Sequence, residues 1–159
     1  MVRFSSPANW QGRPTKDGRA VRVLVVDDYP GTAESMATLL RLHGYEVDAA
    51  RSGLTALELA RARRPDAVLL DISMPGMDGF KVAKQLRETF PNPPLLIAIT
   101  AHGSEEDRRR CLESGFDVHL VKPADPDKVE RLIRLGLFAS LGGNDDDSGR
   151  GHRAIRPGT

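Results

Sequence analysis

The sequence is short of the features that mark several large protein classes. Its 159 residues include one cysteine, Cys111, which excludes an internal disulfide framework and any multi-cysteine zinc site. Lys and Arg number 23 against 22 Asp and Glu, a formal net charge of +1, whereas a dedicated nucleic-acid binder is normally clearly basic. No apolar run approaches the roughly 18 residues that a membrane-spanning helix needs. The opening stretch MVRFSSPANWQGRPTKDGRA lacks the apolar core of a secretory signal. A soluble cytoplasmic protein is the expectation. What is present, 40% hydrophobic and 28% charged residues, is the composition of a globular domain rather than of a disordered chain.

Charge divides the chain. Residues 1–20 hold four basic groups and one acid, residues 21–140 hold sixteen basic and eighteen acidic groups, and residues 141–159 hold three of each. Both ends are rich in Gly, Pro, Ser and polar residues and have little to bury. Residues 1–20 and 142–159 are therefore expected to be flexible arms around a domain at 21–141. Trp10 reads as part of a disordered leader, and Asp145-Asp146-Asp147 as a solvated acidic patch.

Two patterns alternate between the arms. Val23 to Val26, Ala67 to Leu70, Leu95 to Ile99 and Val118 to Val121 are short apolar runs, which suit strands buried on both faces. Tyr45 to Ala49 alternates, as a strand nearer an edge does. Between these runs lie helix patterns. Met36, Leu39, Leu40 and His43 recur at helical spacing after Pro30, and Gly44 ends that helix. Leu54 to Arg63 closes before Pro65. Gly79 to Phe90 carries Phe80, Ala83, Leu86 and Phe90 on one face. Glu105 to Ser114 starts at the N-cap Ser104 with acids in its first turn. Val129, Leu132, Ile133 and Leu137 form a last stripe. Five strands alternating with five helices imply an α/β fold, a doubly wound parallel sheet with helices on both faces. Such sheets bind ligands beyond the carboxyl ends of their strands, so the residues there are the candidates.

The first strand ends in Asp27-Asp28, the third in Asp71, the fourth in Thr100 and the fifth in Lys122. Three carboxylates within about 5 Å repel by roughly 3 kcal/mol per pair at an effective dielectric near 20. Such a cluster stays ionised only beside a cation. Lys122 supplies one positive charge, and a divalent ion is the natural remainder. Carboxylate, carbonyl and water ligands suit Mg²⁺. Each element alone is ordinary, since an acidic pair after a strand is often only a loop or a cap. Compatible chemistry at four strand ends is what carries weight.

The segments VLVVDDYP, LLDISMPGMDG, IAITA and HLVKP resemble the receiver domain of two-component response regulators from about Val21 to Leu141, with all five hallmark positions in order. The resemblance implies a flavodoxin-like sheet of order 2-1-3-4-5. It makes Asp71 the phosphoacceptor, which attacks a phosphohistidine and becomes an aspartyl phosphate. It has Asp28, Asp71 and the backbone carbonyl of Ser73 hold Mg²⁺ directly, and Asp27 through water. Lys122 pairs with the phosphoryl oxygens, and Thr100 donates its hydroxyl to them. It implies a phosphoacceptor signalling domain with Mg²⁺-dependent self-phosphorylation and self-dephosphorylation, not an enzyme. The donor it implies is a histidine kinase or a histidine phosphotransfer domain, docking near the first helix and the strand-end rim. With no room seen for an output domain after about residue 141, the expectation is a stand-alone receiver with no nucleic-acid or membrane partner. It would act through an unknown downstream protein, or as a relay intermediate or phosphate sink. The segment GFDVHLVKPADPDK is also similar to receivers of hybrid histidine kinases. Lys122-Pro123 is a candidate cis peptide, as in relatives.

One position departs from the family. Three residues before the lysine, where Tyr or Phe is usual, stands His119, a smaller ring able to ionise near neutral pH. It reads either as an inward partner of Thr100 or as a surface histidine. Ser73 and His102, two residues after Asp71 and Thr100, occupy places that in relatives flank the phosphoryl group and tune its hydrolysis. Tyr29 reads as a shield of the first helix, Arg108-Arg109-Arg110 as a solvated face, and Cys111 as a small buried hydrophobe. Gly136 either weakens the last helix or permits a close approach.

Three other functions compete. A phosphohydrolase of the haloacid-dehalogenase type needs a second acid two residues after its nucleophile, where Ser73 stands. A flavodoxin-like cofactor binder needs a Ser/Thr/Gly-rich phosphate loop where Asp27-Asp28 stand. A receiver that signals without phosphorylation has only His119 in its support.

Overall fold

A computed structural model describes residues 19–142 of the chain. Trp10, the acidic run at 145–147 and nearly all of both expected arms lie outside the described residues. The elements are β1 (Arg22–Val26), α1 (Pro30–Leu42), β2 (Glu46–Ala50), α2 (Gly53–Arg63), β3 (Ala67–Asp71), α3 (Gly79–Thr89), β4 (Leu95–Thr100), α4 (Glu105–Glu113), β5 (Val118–Val121) and α5 (Pro126–Gly142). All strand pairs are parallel, in the order β2-β1-β3-β4-β5. The expected five-and-five alternation and sheet order are both present. The chain leaves β1 toward β2 on one side and returns to β3 on the other, which opens a crevice beyond the ends of β1 and β3.

Successive side chains along a strand point to opposite faces, and both faces are covered. Val23, Val25, Leu69 and Ile97 pack with Ala33, Ala37 and Leu40 of α1 and Val129 and Ile133 of α5. Leu24, Val26, Leu70 and Leu96 pack with residues of α2, α3 and α4, Cys111 among them. Complete burial of one such aliphatic side chain is worth about 1.5–3 kcal/mol, so these two layers hold the helices against both faces of the sheet.

The inward faces of two helices differ in detail from the periodicity. In α1 the sheet meets Ala33, Ala37 and Leu40, while Leu39 is exposed and Met36 only half-buried. Small alanines let the helix approach the strands, and a search for large apolar residues overlooks them. In α3 the buried residues are Val82, Ala83 and Leu86. Phe80 and Phe90 lie at the margin, each beneath a guanidinium, Arg110 at 4.2 Å and Arg64 at 5.4 Å from the ring centres.

Boundaries follow local chemistry. Ser52, Asp78 and Ser104 each accept a backbone N–H at the start of α2, α3 and α4. Gly44 follows α1 with φ +86°, a conformation that glycine adopts without strain. Gly136 proves to be a close approach, because a Cβ there would lie 2.6 Å from Leu95 Cδ2. The Lys122–Pro123 peptide is cis. At the amino end of the sheet, Asp66 receives Arg19 Nη1 and Nη2 at 2.8 and 2.9 Å and the Arg22 N–H at 2.8 Å. On the α1/α5 side, buried Glu130 accepts the Tyr45 hydroxyl at 3.0 Å.

Candidate functional site: an acidic crevice at the strand ends

Register brings the acids together. Val26 of β1 pairs with Leu70 of β3, so Asp27 and Asp71 emerge side by side. Asp27 and Asp71 are 5% and 2% exposed, whereas Asp28 faces solvent. One oxygen from each of the three carboxylates lies within 4.8 Å of the others. Asp27 Oδ1 accepts the Tyr29 N–H at 2.9 Å, and Asp71 Oδ1 accepts the Ser73 N–H at 3.0 Å. These bonds leave the other oxygens turned toward Lys122, whose Nζ lies 3.1 Å from Asp71 Oδ2 and 3.9 Å from Asp27 Oδ2.

The electrostatics are those of a crowded anionic site. Burial pushes the Asp27 carboxyl above its ordinary range, and the charges of Asp71 and Asp28 push the same way. The Tyr29 N–H and the Lys122 ammonium pull it back down. Backbone packing fixes the end of β3 from which the Asp71 side chain projects. Gly79 opens α3 directly against the end of β3, and a Cβ there would meet the Asp71 carbonyl oxygen at 2.6 Å. Gly76, in the turn before it, has φ +78°.

The other wall is built by β4 and β5. Thr100 pairs with Val121, and the Lys122 N–H donates to the Thr100 carbonyl at 2.7 Å, which delivers the ammonium to the rim. The Thr100 hydroxyl donates to the His102 carbonyl at 2.6 Å and lies 3.0 Å from His119 Nε2. Of the two readings of His119, the half-buried, inward one is therefore the observed one. The side chains of Ser73 and His102 are exposed beside a cleft of about 430 Å³ toward α4. On the α1 side a cleft of about 440 Å³ runs past Asp27, Thr32, Met36 and Lys122.

All the residues expected at the strand ends thus share one rim. Sequence reasoning missed the Tyr29 N–H on Asp27, for which no side-chain signal exists. It also missed Arg87, which donates to the Gly115 carbonyl at 2.8 and 2.6 Å and to Asp117 at 2.8 Å and so ties α3 to the turn before β5. The Cys111 thiol is fully buried, and burial raises it above its ordinary range, as befits a packing residue.

A doubly wound parallel sheet with an acidic pair, a buried aspartate, a hydroxyl and a lysine on its carboxyl rim defines a class of phosphoacceptor signalling domain. Residues 23–134 match the family model of the response regulator receiver domain, and the chain belongs to that family. Among curated proteins it is similar to response regulator MprA of Mycobacterium sp. (strain KMS), 45% identical over 103 residues, which are 65% of this chain and 44% of that one. It is also similar to the probable transcriptional regulatory protein TcrX of Mycobacterium tuberculosis, 39% identical over 84% of this chain and 56% of that one. The chain spans about half the length of these curated relatives. Among solved structures, a CheY-like receiver domain protein from Methanospirillum hungatei superposes with a TM-score of 0.73 at 26% identity, over 79% of this chain and 99% of that one. The CheX–CheY–BeF3–Mg²⁺ complex from Borrelia burgdorferi gives 0.72 at 30% identity, over 82% and 98%. Among the described residues no helix is long and apolar enough to cross a membrane.

Proposed function

We propose that this domain takes a phosphoryl group from a phosphohistidine onto Asp71, with Mg²⁺ bound beside it. The observation that carries the reading is the surroundings of Asp71. Its carboxyl is almost wholly buried, 3.1 Å from an ammonium and within 4.8 Å of two more carboxylates. A carboxylate is a weak nucleophile, and covalent catalysis needs it both placed and relieved of phosphoryl charge. The donor set fits Mg²⁺, because it offers hard oxygens only and leaves an open side for water. Asp28, Asp71 and the Ser73 carbonyl would hold the ion directly, and Asp27 through water. When bound, the ion neutralises charge on the transferring group.

The chain's own residues do the rest. An Asp71 oxygen attacks phosphorus in line, and the new P–O bond forms as the P–N bond to the donor imidazole breaks. The electron pair of that bond returns to the ring nitrogen. Positioning and electrostatics supply nearly all of the catalysis in such a transfer. Lys122, whose ammonium lies 3.1 Å from Asp71 Oδ2, balances charge on the phosphoryl oxygens, and Thr100 turns its hydroxyl toward them. Ser73 and His102 border the path of the water that later hydrolyses the aspartyl phosphate. On this reading the chain is a stoichiometric acceptor in the cytoplasm, where a histidine kinase or a histidine phosphotransfer domain docks over α1 and the rim. The BeF3 and Mg²⁺ in the structurally similar Borrelia complex support the same assignment.

The phosphorylated receiver acts by contact with a partner, or passes its phosphoryl group on as a relay intermediate or sink. The greater length of the curated relatives, one of them called a transcriptional regulatory protein, favours a second output, control of transcription. Incubation with phosphoramidate and Mg²⁺, followed by intact mass measurement, tests the acceptor reading. One added phosphoryl group is expected, absent with chelator and absent in Asp71→Asn. A normal adduct on Asp71→Asn overturns it.

A further inference from the structure

Counting hydrogens at Thr100 gives His119 a definite part in the site. The hydroxyl oxygen has two close neighbours, the His102 carbonyl at 2.6 Å and His119 Nε2 at 3.0 Å. A hydroxyl has one proton, and a carbonyl oxygen can only accept. That proton therefore lies toward His102, and Oγ1 presents a lone pair to the ring. Nε2 must carry the hydrogen of the second bond. Protonation of the other ring nitrogen, Nδ1, leaves the Nε2–H···Oγ1 bond intact, so the ring can gain charge without releasing Thr100.

Groups of both charge signs surround the ring. Val118 and Leu120, its neighbours in β5, pack on the α1/α5 face, which turns His119 toward α4. There it shares a cleft of about 390 Å³ with Glu105 and Arg108 of α4 and with Asp117. Glu105 and Arg108 are both exposed and opposite in sign, and Asp117 is engaged by Arg87. The Lys122 N–H bonds the Thr100 carbonyl at 2.7 Å, and the Lys122 ammonium pairs with Asp71 and Asp27.

We propose that His119 is a positioning residue that anchors the Thr100 hydroxyl for the phosphoryl group on Asp71 and takes up a proton when that group arrives. The proposal rests on the acceptor reading above. When phosphoryl oxygens appear, the Thr100 proton leaves the His102 carbonyl and turns to them, while Nε2–H keeps Oγ1 in place. The new negative charge then stands two hydrogen bonds from the ring and favours the imidazolium. By linkage the favour is returned, so a protonated ring strengthens occupancy of the acceptor site. The occupied state binds more protons than the empty one, and occupancy therefore tightens as pH falls through the range where imidazoles titrate.

Beryllofluoride affinity of the full chain, measured by calorimetry in saturating Mg²⁺ at pH 6 and pH 8, tests this with wild type, His119→Gln and His119→Phe. Speciation of metal and fluoride is common to all three and cancels in their ratios. The gain in affinity from pH 8 to pH 6 is expected to be about fivefold larger in wild type than in either variant. Gln, whose amide N–H can replace Nε2–H without titrating, is expected to bind more tightly than Phe at both pH values. Equal pH profiles for wild type and Gln overturn the proton uptake, and equal affinities for Gln and Phe overturn the anchoring. Either failure leaves the Asp71-dependent phosphoryl adduct in place, whereas failure of the acceptor reading removes that adduct from wild type.

Discussion

Replacing Asp27 by Asn removes one negative charge from the most crowded point of the molecule and nearly preserves its shape. Asp27 and Asp71 have oxygens within 4.8 Å of each other, a repulsion of about 3 kcal/mol at an effective dielectric near 20. Asp28 adds about 1 kcal/mol, reduced because it is exposed. Against this stands the attraction to Lys122 Nζ at 3.9 Å, about 4 kcal/mol by the same formula and about half that once screening of the partly exposed ammonium is counted. The burial penalty on the Asp27 charge has the sign of the repulsion. The Tyr29 N–H still finds an acceptor in Asn, though a neutral one, at a loss of about 1 kcal/mol. The balance is a stabilisation of the metal-free fold by about 1–2 kcal/mol. Urea unfolding followed by circular dichroism in chelator at pH 7 reads this difference directly.

The same variant has a pH signature. Because the folded state raises the Asp27 carboxyl, the folded protein binds a proton more readily than the unfolded chain. Wild-type Asp27 therefore destabilises the fold above its raised value, and this burden disappears as pH falls through that value toward the unfolded value near 3.9. The advantage of Asp27→Asn is expected to shrink from pH 7 toward pH 4, as wild type acquires its own neutral side chain. Mg²⁺ is expected to reverse the order, because an ion held by the native site stabilises wild type by mass action and the variant less. A variant less stable than wild type in chelator at pH 7 refutes the picture of a repulsive, cation-dependent cluster.

Two further substitutions test the scaffold. Gly79→Ala places a Cβ against the backbone at the end of β3, 2.6 Å from the Asp71 carbonyl oxygen and 2.9 Å from Ile72 Cα. A loss of about 1–3 kcal/mol in denaturant unfolding is expected, and, on the proposed function, slower phosphoryl uptake because Asp71 is displaced; an unchanged unfolding midpoint contradicts the contact. Tyr45→Phe removes the hydroxyl that donates to buried Glu130 at 3.0 Å. It is expected to lower stability by about 1.5–3 kcal/mol with phosphoryl uptake unaffected, and a loss of uptake would show that this contact reaches the site.

The strand-end chemistry was legible because β-runs and their terminal residues are local in sequence. Asp71 closes an apolar run, and Lys122 closes another. Helix starts were legible for a similar reason at Ser104, whose hydroxyl accepts the Asp107 N–H three residues on. The inward faces of α1 and α3 were less so. Alanines at 33 and 37 carry little apolar signal, yet they are what the sheet admits when a helix lies close. The Tyr45–Glu130 bond joins residues far apart in the chain, and no pattern in either neighbourhood announces it.

By itself, the order of residues determined the alternation of strands and helices, the identity of the acids, hydroxyl and lysine at the strand ends, and the family they resemble. Each of these depends on side chains within a few positions of one another. Only the tertiary structure decided that His119 turns to Thr100 rather than to solvent, which oxygen of Asp71 faces Lys122, and how closely α3 seats against β3. Those outcomes depend on strand register and on the single proton of one hydroxyl, which distance and angle allocate once the chain has folded.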